Sequence, residues 1–239
     1  MKLENKFAFI ACGLLLLAIQ PLIAEEDEGD QEEYEYVNIP GSLPLECGEL
    51  EEGNYGPFDY TNYDHYTEHL AIVNSGHFNR DVETLTKGLS TDFIYGDLDY
   101  TLRAFPNHHR ALVALTKFEY VVEDAEMQIE NYGLPVECYF KRAIVFTPRD
   151  GVVRLIYATY LHRKGTYETA LAQYNRALEM MPNSPEVHYN LGLYYYDTSN
   201  YALSVKHGRK AYELGYPLPG LKDKLIRKGV WDKIVSDNT

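Results

Sequence analysis

The sequence predicts an all-α protein, a short superhelix of about three stacked helix pairs with an irregular N-terminal extension and a C-terminal capping helix. The first observation is a recurring joint, in which a proline and a few polar residues precede an amphipathic helix at Pro106, Pro148 and Pro182. The second is a fixed period, because Pro148 and Pro182 lie 34 residues apart and other residues repeat at that offset. Such self-similarity is typical of a solenoid, in which each helix pair buries its apolar face against its neighbours.

The residues that recur at the 34-residue offset are small or aromatic in most cases. The sets are Phe140 with Tyr174, Tyr167 with Tyr201, Leu155 with Tyr189, Ala158 with Gly192, and Ala143 with Ala177 and Ala211. Small residues let two helices cross closely, and large ones fill the space between neighbouring pairs. The proline at each joint ends the preceding helix, because its ring cannot continue the hydrogen-bond ladder.

This pattern resembles the tetratricopeptide repeat, a helix–turn–helix unit of the same period. The matching residues are Leu191, Gly192 and Tyr195 in "HYNLGLYY", and Ala170, Tyr174 and Pro182 in "ALAQYNRALEMMP". The resemblance implies a protein that binds other proteins. It comes with two departures from the family pattern.

The departures concern the last full repeat. His188 stands where the family pattern has a tryptophan. Ser204 and Gly208 replace the alanine and the aromatic residue of the second helix, so we expect that helix to pack more loosely.

The pattern divides the chain into five segments. They are a signal peptide (1–24), an acidic disordered leader (25–53), an N-terminal extension (54–96), the repeats (97–217) and a capping helix (218–239). The repeats comprise a preceding second helix that ends at Pro106, an expanded repeat (109–150) with a longer turn at 121–135, and two regular repeats (151–184 and 185–217).

The two ends of the array carry their own helix signals. In the extension, Asn79 predicts a cap, Val82 and Leu85 point inward, and Gly88 predicts a stop. At the other end, residues 217–235 predict one amphipathic helix with an inner side, which consists of Leu221, Leu225, Ile226 and Trp231. The extension and the stretch after it resemble a loosely defined group of exported proteobacterial tetratricopeptide proteins, with which we associate no activity.

The N-terminus predicts export. The basic "MKLENK" precedes the apolar run "FAFIACGLLLLAI", and the chain turns acidic after Ala24, where we expect cleavage. An uncleaved membrane anchor is the alternative, although Gln20 and Pro21 interrupt the run, and a lipid-modified Cys12 is a further one. We therefore expect a periplasmic protein that meets the membrane only transiently, through its signal segment.

The charge is concentrated in one segment. Residues 25–52 contain twelve Asp or Glu and no Lys or Arg, which accounts for most of the net charge of −14. Such a chain is repelled by phosphate backbones, so we expect no nucleic-acid partner. The segment is either a solubilising leader or an acidic binding arm.

Two cysteines remain after cleavage, Cys47 and Cys138. Because an exported chain meets an oxidising compartment, we expect them to form a disulfide.

Two groups of histidines are candidate chemical sites. His108 and His109 in "PNHHRAL" occupy a joint between repeats and are interpreted as structural. "HYTEH" matches the H-x-x-E-H motif of inverted zinc proteases, with His65 and His69 as ligands and Glu68 as base. No later segment is marked as the third ligand, so we expect surface or packing histidines, no cofactor and no catalysis.

The first helices of the repeats predict a concave groove. Its inward residues are Arg110, Val113, Lys117 and Tyr120, then Leu155, Thr159, His162 and Arg163, then Tyr189, Leu193, Tyr196 and Asp197. Mixed basic, aromatic and apolar side chains suit an extended peptide or a helix, although the same residues could simply form a solvated surface. The sequence therefore favours an exported scaffold or adaptor that binds a protein or peptide. A zinc-dependent hydrolase and a self-associating structural subunit remain as alternatives.

Overall fold

The computed structural model describes residues 43, 45–50, 55–90 and 92–232, and all regular secondary structure in these ranges is helical, with no strand. They contain eleven α-helices: α1 (Tyr63–His77), α2 (Arg80–Glu83), α3 (Ile94–Ala104), α4 (His109–Val121), α5 (Ala125–Tyr132), α6 (Val136–Phe146), α7 (Gly151–Lys164), α8 (Tyr167–Met180), α9 (Pro185–Asp197), α10 (Tyr201–Glu213) and α11 (Gly220–Arg227). The predicted signal peptide and most of the acidic leader lie outside the described residues. Within them, no helix combines the length and apolar character that a membrane span requires.

The joints between repeats place a capping side chain before each first helix. Asp150 accepts hydrogen bonds from the backbone N–H groups of Val152 and Val153 at the start of α7. Ser184 does the same for Val187 at the start of α9, where Pro185 occupies the first turn. These caps satisfy N–H groups that have no partner within the helix, which explains why a polar residue recurs at each joint.

The last repeat packs closely at its helix crossing. A Cβ atom on Gly192 of α9 would overlap Leu221 and would lie 3.3 Å from the backbone N of Gly208 in α10. The Ser204 hydroxyl is buried and donates to the Gly192 carbonyl over 2.7 Å. The expectation of looser packing was therefore wrong, because Leu221 and Trp231 occupy the space that the missing aromatic side chain leaves.

The expanded repeat contains a helix where the sequence predicted a turn. Within residues 121–135, α5 packs against α3, and Gln128 is buried. The Gln128 side chain accepts a hydrogen bond from the backbone N–H of Tyr95 (3.1 Å) and donates to Asp124 (2.8 Å). The insertion is thus held by contacts with a preceding helix.

The N-terminal extension contains a 15-residue helix, α1, that the sequence did not predict. Its apolar contact with α3 is small, with Leu70 and Val73 packed against Ala104 and Phe105. Asn62 caps its first turn. The short helix expected after Asn79 is present as α2.

The α2 helix ends earlier than the predicted stop at Gly88. Asn79 accepts from the N–H groups of Asp81 and Val82, and the helix ends at Glu83. The chain then turns at Leu85, which has a φ of 61°. Val82 and Leu85 are both buried, as expected.

The C-terminal helix is shorter than predicted. It ends at Arg227, and Gly229 in the left-handed region (φ 73°) turns the chain before Trp231. Leu221 and Leu225 are fully buried, but Ile226 is 48% exposed, so its predicted inward position was wrong.

A disulfide joins Cys47 to Cys138 in α6, as the sequence predicts. Both cysteines are buried. Arg142, one turn further along α6, donates to the carbonyl oxygens of Cys47 (3.2 Å) and Glu49 (2.6 Å). The bridge and this arginine fasten residues 45–50 to the expanded repeat.

Candidate functional site

The paired histidines at the first joint hold structural positions. His108 is fully buried, its Nδ1 accepts from the backbone N–H of Ala111 (3.2 Å), and its Nε2 lies 3.2 Å from Asn74 Oδ1. Burial lowers the pKa of His108 to about 3, so the ring is neutral at physiological pH. It caps α4 and links it to α1.

His109 connects two joints. Its Nε2 lies 2.7 Å from Oδ2 of Asp150, the residue that caps α7. Burial alone would raise the pKa of Asp150, but the hydrogen bond and charge of His109 hold it below its usual range. Asn107 donates to the same carboxylate (3.2 Å). The joint before α4 is therefore held by partly buried hydrogen bonds, whereas the sequence suggested a solvent-exposed turn.

The histidines of the zinc-protease motif anchor the chain that precedes α1. His65 Nδ1 accepts from the backbone N–H of Asp59 (3.0 Å), and His69 Nδ1 lies 3.1 Å from the Tyr55 hydroxyl. The His69 ring stacks on Phe58 with centroids 3.9 Å apart. Both rings already have a packing role. Among the described residues no group of three His, Cys, Asp or Glu side chains is placed to hold a metal.

The predicted groove residues of the first repeat lie on one exposed side of α4. We call Arg110, Val113, Lys117 and Tyr120 the α4 face, since their spacing of three and four residues places them together. Arg110 is held at one end of it. Its guanidinium forms two hydrogen bonds with the Glu83 carboxylate, one of them 2.7 Å from Nε to Oε1.

The α7 helix extends this surface through Arg163. The guanidinium of Arg163 donates to the Thr116 carbonyl of α4 over 3.2 Å and lies 5.4 Å from the centre of the Tyr120 ring. Leu155 and Thr159 of the same helix are half-buried. The α4 face and Arg163 thus form one continuous surface.

His162 ties α7 to α9 at the edge of that surface. Its Nε2 lies 3.2 Å from Oδ2 of Asp197, and its Nδ1 lies 3.4 Å from the hydroxyl of Tyr174. Burial lowers the pKa of His162, and the charge of Asp197 opposes this effect. His162 therefore positions the repeats relative to each other.

Three predicted groove residues of the last repeat belong to the interior instead. Tyr189 is 9% exposed, and its ring stacks on Tyr216 with centroids 4.0 Å apart. Leu193 and Tyr196 are partly buried in the same apolar cluster, to which α11 contributes Leu221. These residues are covered because α11 packs on the side of α9 that a following repeat would otherwise cover.

Sequence reasoning missed two features near the α4 face. Val121 is 59% exposed and continues the apolar character of this surface beyond Tyr120. An open cleft of about 340 Å³ lies beside Cys138, between the ends of α4 and α7 and the start of α6. Two lysines at the cleft, Lys164 and Lys141, pair with acidic residues, the first with Glu119 over 3.1 Å.

A comparison with protein families bears on what these stacked helices are. Residues 160–199, from the end of α7 through α8 and α9, match the family model described as "TPR repeat". The chain contains tetratricopeptide repeats. Repeats of this family mediate protein–protein interaction, which agrees with a surface of exposed polar and aromatic side chains.

Two curated relatives match a part of the chain. Over 58 residues the chain is 40% identical to intraflagellar transport protein 70B of Bos taurus, a match that covers 24% of this chain and 8% of the relative. Over 66 residues it is 35% identical to intraflagellar transport protein 70A of Homo sapiens, covering 28% and 10%. The chain therefore spans only a small fraction of the length of these relatives.

Proposed function

We propose that this tetratricopeptide repeat protein is an exported scaffold or adaptor of the bacterial envelope, which binds a protein partner through the α4 face and Arg163. Its role is recognition without catalysis. The single observation that carries the proposal is the pairing of an exposed tyrosine with an arginine across two repeats. Tyr120 is 52% exposed, and the Arg163 guanidinium lies 5.4 Å from its ring centre.

Tyrosine and arginine are the residues that most often dominate binding energy at protein interfaces. Arg163 is already held by the Thr116 carbonyl, so less conformational freedom is lost when a partner binds. Val113, 39% exposed on the same face, adds an apolar contact. The surface is therefore pre-ordered and mixed in character.

The chemistry of the surface indicates the class of partner. Lys117, three residues before Tyr120 on α4, and Arg163 beside the Tyr120 ring offer positive charge, and Val113 offers an exposed apolar side chain. An amphipathic helix or extended segment with an apolar residue beside a carboxylate would satisfy both.

Export is supported by the sequence and by the cysteines. The basic start, apolar run and acidic switch at Ala24 form a signal pattern. The Cys47–Cys138 disulfide is a bond that persists in oxidising compartments. Sequencing the N-terminus of the protein from a fractionated cell tests this part, and a protein that keeps residues 1–24 in the cytoplasm would refute it.

Site-specific photo-crosslinking in the native cell tests the surface. A photoreactive phenylalanine analogue at Tyr120 should give a defined adduct with a partner protein. The matched control is the same analogue at Tyr63, which is 79% exposed on α1. Arg163→Glu should abolish the adduct at Tyr120. Equal adducts at both positions, or none at Tyr120, would contradict the proposal.

A further inference from the structure

The last helix of the array, α11, presents a cationic outer side. Residues 218–228 contain four Lys or Arg and one acidic residue, Asp223, so their formal charge is four minus one, or +3. The whole chain has a net charge of −14, which makes this excess of cations a local feature. We call the exposed residues of this region the α11 face: Leu218, Lys222, Ile226, Arg227 and Lys228.

The cations of this face lie against aromatic rings. The ammonium group of Lys222 is 5.6 Å from the centre of the Trp231 ring, and the guanidinium of Arg209 in α10 is 5.4 Å from the same centre. The ammonium group of Lys228 is 5.0 Å from the centre of the Tyr201 ring. A ring attracts a cation and helps to position it, but it has no net charge with which to neutralise it.

Carboxylates compensate only part of this charge. Asp197 lies 4.0 Å from Lys224, and both side chains are about two-fifths exposed. Asp223 is the one acidic residue within residues 218–228. Among the described residues, Lys222 and Lys228 form no ion pair and contact rings instead. Their charge is therefore available to an anionic partner.

Two aliphatic side chains are exposed beside these lysines. Leu218 is 56% exposed and Ile226 is 48% exposed. Ile226 follows Lys222 by one helical turn, so both lie on the outer side of α11. The Tyr212 hydroxyl donates to the Leu218 carbonyl (3.1 Å) and accepts from the backbone N–H of Lys222 (3.0 Å). These two hydrogen bonds hold Leu218 beside the first turn of the helix.

The combination of free cations and exposed aliphatic side chains suits one kind of anionic occupant. A phosphate ion or a nucleic acid would pair with the lysines and leave Leu218 and Ile226 in water. The surface of an anionic bilayer satisfies both kinds of side chain, because headgroup phosphates pair with the ammonium groups and the acyl region takes up the aliphatic ones. We propose that the α11 face binds the surface of a membrane that contains anionic phospholipids.

The size of the face favours a membrane over a protein partner. The α11 helix has eight residues and is therefore about 12 Å long, whereas each partner in a standard protein interface buries about 800 Å². Membrane binding needs no partner surface of matching shape, since its strength grows with the buried apolar area and with the charge. Two aliphatic side chains bury little area, so the contact is peripheral and reversible. It uses none of the residues of the α4 face.

Co-sedimentation with phospholipid vesicles tests the proposal. The chain without residues 1–24 is used, because the apolar run in that segment would bind vesicles by itself. Vesicles of phosphatidylcholine with one third phosphatidylglycerol should bind at least about tenfold more protein than vesicles of phosphatidylcholine alone, since each lysine near an anionic surface adds to the attraction. Raising the salt from about 50 to about 500 mM should lower this binding at least about fivefold, because salt screens exposed charges.

Paired variants locate the binding surface. Replacing Lys222 and Lys228 together with glutamine should lower binding to the anionic vesicles at least about tenfold. The matched control replaces Lys87 and Lys117, two exposed lysines of other segments, and should lower binding by less than about twofold.

The aliphatic contact is tested in the same way. The variant Ile226→Ser should lower binding to the anionic vesicles about fivefold, because it removes apolar area from the contact. Ile72→Ser is its control, since Ile72 is 58% exposed on α1, and this variant should bind like the wild type.

Fluorescence of Trp231, the one tryptophan of the sequence, gives a second measurement. Its ring is partly exposed and contacts Lys222, so it lies at the proposed contact with the bilayer. Anionic vesicles with brominated acyl chains should quench its emission, and brominated phosphatidylcholine vesicles should not. The quenching should be lost when Lys222 and Lys228 are replaced with glutamine, and it should persist in the variant that lacks Lys87 and Lys117.

Four results would overturn the proposal. Equal binding to both kinds of vesicle would show that the charge plays no part. Binding to anionic vesicles without quenching of Trp231 would place the contact elsewhere on the chain. Full binding by Ile226→Ser would reduce the effect to attraction for any polyanion. Capture of polyglutamate through Lys222 and Lys228, without binding to vesicles, would assign the face to an acidic protein segment.

Discussion

His188 and His207 are hydrogen-bonded to each other in the last repeat, with their Nδ1 atoms 3.0 Å apart. His188 Nε2 lies 3.0 Å from the carbonyl oxygen of Pro182, to which it donates. His188 Nδ1 is therefore the acceptor in the neutral ring, and His207 is the donor. Burial, together with the charge that His188 would carry, lowers the pKa of His207 to about 4. His188 thus stands where the tetratricopeptide pattern has a tryptophan, and its hydrogen bond with His207 links α9 to α10.

This pair predicts a loss of stability in acid. The pKa of His207 is about 4 in the folded protein and near 6.5 in the unfolded chain, so the unfolded chain binds the proton more readily. The contribution of the neutral ring is full above pH 6.5 and is lost as the pH falls towards 4. Because the ring is partly exposed, we expect about 1–2 kcal/mol. Urea titrations between pH 7 and 4 measure it.

The variant His207→Gln provides the comparison. It should be less stable than the wild type at pH 7, and its stability should fall less between pH 6.5 and 4, because the titrating ring is absent. His108 is present in both proteins, so its contribution to the pH dependence of stability cancels in the comparison. Parallel curves for the two proteins would contradict the assignment of His207 as an acid-sensitive group.

The disulfide predicts a second measurable contribution to stability. Cys47 and Cys138 are separated by 91 residues, and closing a loop of this length in the unfolded chain is worth about 4–5 kcal/mol. Replacing both cysteines with serine should lower the free energy of unfolding by up to this amount. Titration of the denatured, unreduced mature protein should find neither of these thiols free. Two free thiols would refute the bond.

The close crossing in the last repeat predicts a contrast between two glycines. Gly192→Ala should destabilise the protein by about 1–3 kcal/mol, because the added methyl group would overlap Leu221 and press on Gly208. Gly76→Ala is the matched control, since nothing lies within 4 Å of its added Cβ atom. In α1 that change should stabilise slightly, because alanine favours a helix. Equal changes in melting temperature would contradict the crossing.

Residues that repeat at 34 positions were predictable, because their packing is dictated by the adjacent repeat. Ala170, Tyr174 and Ala177 are fully buried, as that period requires. The α1 helix was not predicted, because only Leu70 and Val73 of its residues are buried, and two apolar positions give the sequence only a weak helical period. The position of α5 depends on the Gln128 contact with a distant backbone, which no local pattern records.

The groove was predictable in part for a related reason. Helical spacing placed Arg110, Val113, Lys117 and Tyr120 together on α4, because that relation is local. Tyr189 lies on the corresponding side of the first helix of the last repeat, α9. There, however, the chain from Tyr216 onward folds back and covers it. A repeat pattern defines which side of a helix faces inward, and it does not tell whether a terminal segment covers that side.

Two tyrosines provide the last prediction, which separates the exposed surface from the covered one. Tyr189→Ala should lower the free energy of unfolding by about 3–5 kcal/mol, because it leaves a cavity where the ring stacks on Tyr216. Tyr120→Ala should change it by less than about 0.5 kcal/mol, since its ring is 52% exposed. Denaturant unfolding of both variants measures the difference. If Tyr189→Ala is as stable as the wild type, α9 is not covered by α11, and Tyr189 belongs to the partner-binding groove. If Tyr120→Ala unfolds the protein, the loss of binding in that variant does not report on recognition. Arg163→Glu is then the variant that tests the binding surface.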